Sequence, residues 1–216
     1  MDIRNGFVAL ALLAFSATAA AQDRAGTWDF GFSVLDTSSD SVSGSQGSGI
    51  TVDGDLGWGF MTSYNITDRL AVGGDFTWLS PDYQAKQVLD PSGTVITVDA
   101  ELDVATLHFK GAFYFTEGAV APFIEAGGGW TRIDSNIADG PPTTGCWWDP
   151  WWGYICTSFY DTYAETRTSW TYGVGLRWDV SDEFVVRGSY SLLEVDTARA
   201  EAFESEVLKV DFGWRF

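Results

Sequence analysis

The stretch VLKVDFGWRF, residues 207–216, decides the fold. Leu208, Val210, Phe212, Trp214 and Phe216 alternate with Val207, Lys209, Asp211, Gly213 and Arg215. A period of two puts the first set on one face of a β-strand and the second on the other. One face is apolar and ends in aromatics; the other is mostly charged or polar. A soluble sandwich satisfies such a strand with its polar face in water, so the rest of the chain has to decide.

Seven earlier segments alternate in the same way. In the first, Trp28, Phe30, Phe32 and Val34 oppose Asp29, Gly31 and Ser33. The second, about Ile50 to Tyr64, sets Val52, Leu56, Trp58, Phe60 and Tyr64 against Asp53, Asp55, Gly57, Gly59 and Ser63. The third opposes Leu70, Val72, Phe76 and Trp78 to Ala71, Gly73, Asp75 and Thr77. The fourth opposes Ala105, Leu107, Phe109, Phe113 and Phe115 to Thr106, His108, Lys110 and Tyr114. In the fifth, Ile124, Ala126 and Trp130 point away from Phe123, Glu125 and Thr131. The sixth sets Trp170, Tyr172, Val174, Leu176, Trp178 and Val180 against Thr171, Gly173, Gly175 and Arg177. The seventh opposes Phe184, Val186, Tyr190 and Leu192 to Arg187, Ser189 and Ser191. Short turns at 65–68, 116–118 and 181–183 alternate with long connections at about 36–49, 80–101, 133–165 and 194–203. Such a layout predicts an all-β, eight-stranded antiparallel up-and-down transmembrane barrel, with its short turns periplasmic.

FVALALLAFSATAAA (7–21) is an apolar run closing on small residues, which predicts a secretory signal peptide over 1–21 and a barrel domain over 22–216. No later stretch approaches the roughly 18 apolar residues of a membrane helix. The composition of 11 Trp, 8 Tyr, 15 Phe and 24 Gly suits packed barrel strands with aromatic girdles. A net charge of −18 excludes nucleic acid as a partner, because phosphate binding needs clustered Lys and Arg. Two cysteines in an exported chain are free to form a disulfide.

The terminal VDFGWRF, the segment APFIEAGGGWT (121–131) and YGVGLRWDVSDEFVVRGSY (172–190) resemble the small eight-stranded outer-membrane barrel family that includes OmpX, OmpW and the barrel domain of OmpA. The resemblance spans essentially the mature chain and implies a place in the bacterial outer membrane. It also implies that Trp214 and Phe216 form a C-terminal signal for the barrel-assembly machinery, and that outer-membrane lipids and lipopolysaccharide are partners. No peptidoglycan-binding domain is expected after the barrel. Lys209 would then face the lumen, and a one-residue slip would turn it into lipid at a cost of about 2–4 kcal/mol near the midplane.

Inward parity predicts a lumen network of Asp53, Asp55, Asp75, His108, Lys110, Glu125, Arg177, Arg187, Lys209, Asp211 and Arg215. Eight strands enclose a space that side chains just fill, and unpaired buried ions are costly. A plug of ion pairs is favoured over a conducting pore. His108 is the sole histidine; no neighbouring serine stands out as a nucleophile, so a satisfied lumen histidine is favoured over a catalytic one. No catalytic residue, cofactor or metal site is expected, since one His and two distant Cys make no zinc-type cluster.

CWWDPWWGYIC (146–156) is the least ordinary stretch. Cys146 and Cys156 should close a small ring, removing about 3 kcal/mol of chain entropy from the unfolded state. Trp147, Trp148, Trp151, Trp152 and Tyr154 either pack together as a miniature loop core, slightly favoured, or form an exposed aromatic binding surface. The loops carrying Asp82, Asp99, Asp134, Asp149, Glu165 and Glu194 are acidic, read as a solvated repulsive surface or as divalent-ion bridges to lipopolysaccharide. The expected function is non-enzymatic, in envelope integrity or surface interaction, with host or surface ligands met through 133–165. A narrow porin-like or OmpW-like conduit for small or apolar molecules is the alternative.

Overall fold

The computed structural model describes residues 23–43, 49–89, 94–196 and 203–216. The expected signal peptide lies outside them. Regular structure among the described residues is entirely β. In chain order the strands are β1 Trp28–Thr37, β2 Asp40–Ser43, β3 Gly49–Val52, β4 Leu56–Asn65, β5 Leu70–Leu79, β6 Asp82–Leu89 and β7 Thr94–Tyr114. They continue as β8 Val120–Ala138, β9 Thr143–Asp149, β10 Gly153–Phe159, β11 Thr162–Asp179, β12 Phe184–Val195 and β13 Phe203–Arg215.

Eight of them, β1, β4, β5, β7, β8, β11, β12 and β13, pair antiparallel in that order, and β13 returns to β1. The sheet therefore closes as the expected up-and-down barrel, and closure removes its edges. At the seam Phe30 faces Trp214, Phe32 faces Phe212 and Ser33 faces Asp211. The alternation of the last strand is realised side by side: Leu208, Phe212, Trp214 and Phe216 are exposed on the outer wall, while Val207, Lys209 and Asp211 are buried inside. Between the inward charges sits a small apolar cluster of Ala71, Ala112, Tyr114, Ala121 and Phe123.

Tight turns join β4–β5, β7–β8 and β11–β12 at one end. Side-chain oxygens organise two of them: Thr67 Oγ1 accepts from the Leu70 N–H at 3.0 Å, and Ser181 Oγ from Phe184 N–H at 3.0 Å. Hydroxyl-to-backbone bonds of this kind fix a turn locally. At the other end the connections are built mostly from strands. β2, β3 and β6 pair in sequence, and β6 pairs with the first half of β7, extending the wall on one side. β9 and β10 form a separate hairpin carried on the far ends of β8 and β11.

One expected strand is corrected. The run from Ile50 to Tyr64 is not continuous: it breaks at Asp53–Gly54–Asp55, and β3 leaves the barrel for the extension. Asp-Gly-Asp is turn chemistry, and two successive carboxylates gain more from water than from a narrow lumen. Connections expected as loops are largely strands because, once the chain leaves the barrel, its backbone groups still need partners. The β-branched run TVITV at 94–98 supplies one of them.

Candidate functional site

Inward side chains fill the barrel in three tiers. At the short-turn end, Arg177 donates from Nη1 to Asp29 Oδ2 at 2.8 Å and to the Tyr114 hydroxyl at 3.1 Å, and from Nε to Asp179 Oδ1 at 2.9 Å. Arg215 pairs with Asp29 and Asp179. Arg24 closes the mouth: its Nε reaches Asp179 Oδ2 at 2.7 Å, and its remaining nitrogens donate to the carbonyls of Asp68, Thr116 and Gly118. Both Arg24 and Arg177 lie over the Tyr114 ring, at 5.4 and 5.2 Å, where a cation gains from the ring's negative face. Three cations and two carboxylates meet here, and turn carbonyls complete the solvation of the third cation.

The middle tier is balanced. Asp75 accepts from Lys110 and Lys209, both at 3.1 Å; Glu125 pairs with Arg187 at 3.0 Å and Lys110 at 3.5 Å. Asp211 lies 3.4 Å from Lys209 and accepts from the Ser33 hydroxyl at 2.6 Å. Arg187 stacks over Phe123 at 4.8 Å. The void left among Ser63, Asp75, Lys110, Glu125, Arg187 and Lys209 measures about 20 Å³, room for about one water.

The tier nearest the long connections is built from hydroxyls and one imidazole. His108 Nε2 lies 2.8 Å from Ser169 Oγ, Thr131 donates to Ser169 at 2.8 Å, and Thr106 bonds Thr131 at 3.0 Å. Histidine, both threonines and serine are all buried. The serine that local sequence does not reveal comes from β11, 61 residues along the chain. A nucleophile and base are therefore in hydrogen-bond reach, both of them buried in the lumen.

The β9–β10 hairpin is the exposed counterpart. Cys146 and Cys156 are bonded at a directly paired position; outward from it Trp147 faces Ile155, and then Trp148 faces Tyr154. At the tip Asp149 Oδ1 accepts the N–H groups of Trp151 and Trp152, and Gly153 takes φ +77°, a conformation that favours glycine. Trp148, Trp151 and Trp152 are 73%, 81% and 77% exposed. Trp147 and Phe159 pair on the opposite face, with centroids 5.8 Å apart. The tryptophans do not collapse into a miniature core, because a two-stranded hairpin with residues on both faces has nothing to fold them against.

The sequence matches the outer membrane protein beta-barrel domain family over residues 7–216. The chain is an outer-membrane β-barrel protein. No curated protein matches its sequence. Among solved structures it is similar to Neisserial surface protein A (13% identity, 88% of this chain and 99% of that one, TM-score 0.58). It is also similar to Ail of Yersinia pestis in complex with the heparin analogue sucrose octasulfate (15%, 89% and 99%, TM-score 0.53) and to OprG of Pseudomonas aeruginosa (13%, 91% and 98%, TM-score 0.52). At these identities the likeness is one of fold.

In the outer-membrane barrel the apolar wall meets lipid, and its aromatics form two girdles. Trp58, Trp78, Trp130 and Trp170 ring the level toward the long connections; Trp28, Trp178, Trp214 and Phe216 ring the level of the short turns. Trp58 and Trp78 stack at 6.2 Å, and the Trp170 indole lies across β8 where Gly128 leaves room: a Cβ there would stand 2.6 Å from the ring. Such belts mark the membrane–water interfaces.

Of the eleven residues expected in the lumen network, the barrel brings together Asp75, His108, Lys110, Glu125, Arg177, Arg187, Lys209, Asp211 and Arg215, in three levels. Asp53 and Asp55 are the exceptions. Asp53 is exposed and lines a shallow dip with Asp82, Asp99, Glu101 and Asn136; Asp55 caps the Ser80 N–H at 2.9 Å. Both lie in the extension because the strand breaks beneath them. Arg24, Asp29, Tyr114, Ser169 and Asp179 belong to the network as well. Inward parity already marked Asp29 and Tyr114, and extended by one step from Arg177 it marks Asp179. Nothing in the sequence marks Arg24, which precedes the first strand.

Proposed function

We propose that this protein is a non-enzymatic barrel that acts at the cell surface, in envelope integrity or surface interaction, through its strand-built extracellular extensions. The observation that carries the reading is the filled lumen. Three tiers of ion pairs and hydrogen bonds cross the interior, and the void among the charged groups of the middle tier measures about 20 Å³, too small to pass a hydrated solute. What varies from a plain barrel lies above the membrane: the acidic extension of β2, β3, β6 and β7, and the disulfide-closed aromatic hairpin. Partners are outer-membrane lipids and lipopolysaccharide around the wall, the assembly machinery through Trp214 and Phe216, and a surface ligand at the hairpin. A sulfated ligand, such as the heparin analogue bound by Ail, is a poor match for a chain of net charge −18.

Planar-bilayer conductance of the refolded protein tests the reading. Electrical silence from a barrel with heat-modifiable migration is expected; discrete reproducible channels would overturn it. A second reading, a conduit for small apolar molecules, draws on a lipid-facing groove where Gly74 and Gly111 interrupt the wall between Phe60, Phe76, Leu107 and Phe109. Uptake of an apolar solute that is lost on filling the groove with Gly111→Leu would put that reading first.

A further inference from the structure

We propose that residues 140–160 insert their tip into a second, zwitterionic lipid bilayer facing the cell. This rests on the surface-interaction reading above and names its partner.

The first argument is charge. GPPTTGCWWDPWWGYICTSFY holds one charged side chain, Asp149, in a chain of net charge −18. That carboxylate folds back on its own turn, with Oδ1 accepting from Trp151 at 2.8 Å and Trp152 at 3.1 Å. The tip therefore presents indoles to its surroundings with little charge to desolvate. Trp and Tyr partition to membrane interfaces because an apolar ring carries one polar group. The second is shape. The Trp151 and Trp152 rings stand 6.4 Å apart and inclined by 52°, a wedge rather than the flat platform that stacks on a sugar ring. The Cys146–Cys156 bond fixes the hairpin before contact, so little ordering entropy is lost on insertion.

The third is reach. The protein's own outer girdle lies at Trp130 and Trp170. Beyond it β8 runs on to Ala138 past Arg132 and Asp134, and β11 starts at Thr162 and passes Glu165 and Arg167. That ribbon extends about 26 Å along the strands and is charged, so it stays in water and holds the hairpin off its own bilayer. The sign of the chain selects the lipid: anionic headgroups would be repelled, and phosphocholine or phosphoethanolamine surfaces would not.

The test is flotation of the full-length protein, held in nanodiscs, with phosphatidylcholine vesicles on a density gradient; empty discs set the background. Wild type is expected to co-float, and Trp151→Ser/Trp152→Ser to lose at least about tenfold in partitioning. Its barrel should migrate unchanged on a gel. Brominated acyl chains in the vesicles should quench wild-type fluorescence more than that of the double variant. Replacing part of the lipid by phosphatidylglycerol at low salt should weaken flotation. A wild type that fails to float, or a double variant that floats equally well, overturns the proposal. If flotation fails while a glycan array shows binding that depends on the same tryptophans, the lipid assignment falls and the surface-interaction reading stands. Loss of both would remove both.

Discussion

Arg24 Nε lies 2.7 Å from Asp179 Oδ2 with both side chains fully buried, tying the segment before the first strand to the last residue of β11. The same guanidinium holds the β4–β5 and β7–β8 turns by their carbonyls. It works as a latch across the periplasmic mouth.

Breaking that latch should be costly. Arg24→Ala leaves Asp179 with Arg177 and Arg215 but strips the turn carbonyls of their donor. Removing one partner of a buried pair costs about 3–5 kcal/mol, and the two remaining arginines place this change at the lower end. Arg69→Ala is the control, since its pair with Glu117 is exposed on both sides and worth under about 1 kcal/mol. Urea unfolding in lipid, read by gel migration, should separate the two variants clearly. Equal midpoints would show that the latch carries no stability.

The middle tier should respond non-additively. Asp75→Ala leaves Lys110 and Lys209 facing each other in a buried site, and is expected to destabilise the barrel by about 3 kcal/mol or more. Adding Lys110→Ala removes the one excess cation and leaves two pairs, Lys209 with Asp211 and Arg187 with Glu125. The double variant should then recover part of the loss, because groups in one network do not add independently. It should also widen the void and raise bilayer conductance above that of the silent wild type. A double variant less stable than the sum of its parts would argue against charge as the cause.

Asp68 gives a pH signature outside the membrane. Backbone N–H groups of Arg24 and Ala25 donate to its carboxylate at 2.8 and 3.1 Å, the Arg24 bond foremost in holding its pKa below the usual aspartate value. A depressed folded pKa contributes stability above the unfolded value, and loses it as pH falls through the folded one. Wild type should therefore exceed Asp68→Asn in unfolding midpoint at neutral pH, with the two converging in strong acid. A constant gap at every pH would mean that the carboxylate charge plays no part.

The barrel was legible because a wall between lipid and a packed lumen forces a strict period of two on every strand. The last ten residues display it in full, and nine of the eleven residues expected in the lumen follow from parity alone. Asp53 and Asp55 fail because parity assumes an unbroken strand, and Asp-Gly-Asp breaks it. Ser169 was invisible beside His108 because its approach depends on closure of β7, β8 and β11 around the lumen, 61 residues apart in sequence. Arg24 carries no periodic signal, since its partners are carbonyls of turns that only the closed barrel brings together. The hairpin's cysteines were readable; the exposure of its tryptophans was not, because composition does not say which face of a loop finds a partner.

Reducing the Cys146–Cys156 bond should separate the hairpin's stability from that of the barrel. β9 and β10 pair only with each other among the described residues, and an isolated two-stranded hairpin is marginal in water. The bond spans a short loop and contributes about 3 kcal/mol in the chain-entropy picture, more than such a hairpin holds by pairing alone. Reduction should therefore expose the aromatic segment to chymotrypsin, with cleavage confined to 147–160, while the unfolding midpoint of the barrel stays unchanged. Cys146→Ser/Cys156→Ser should reproduce the effect without reductant. If reduction instead lowers the barrel's midpoint, the hairpin is packed against the wall and is not the free projection its exposure indicates.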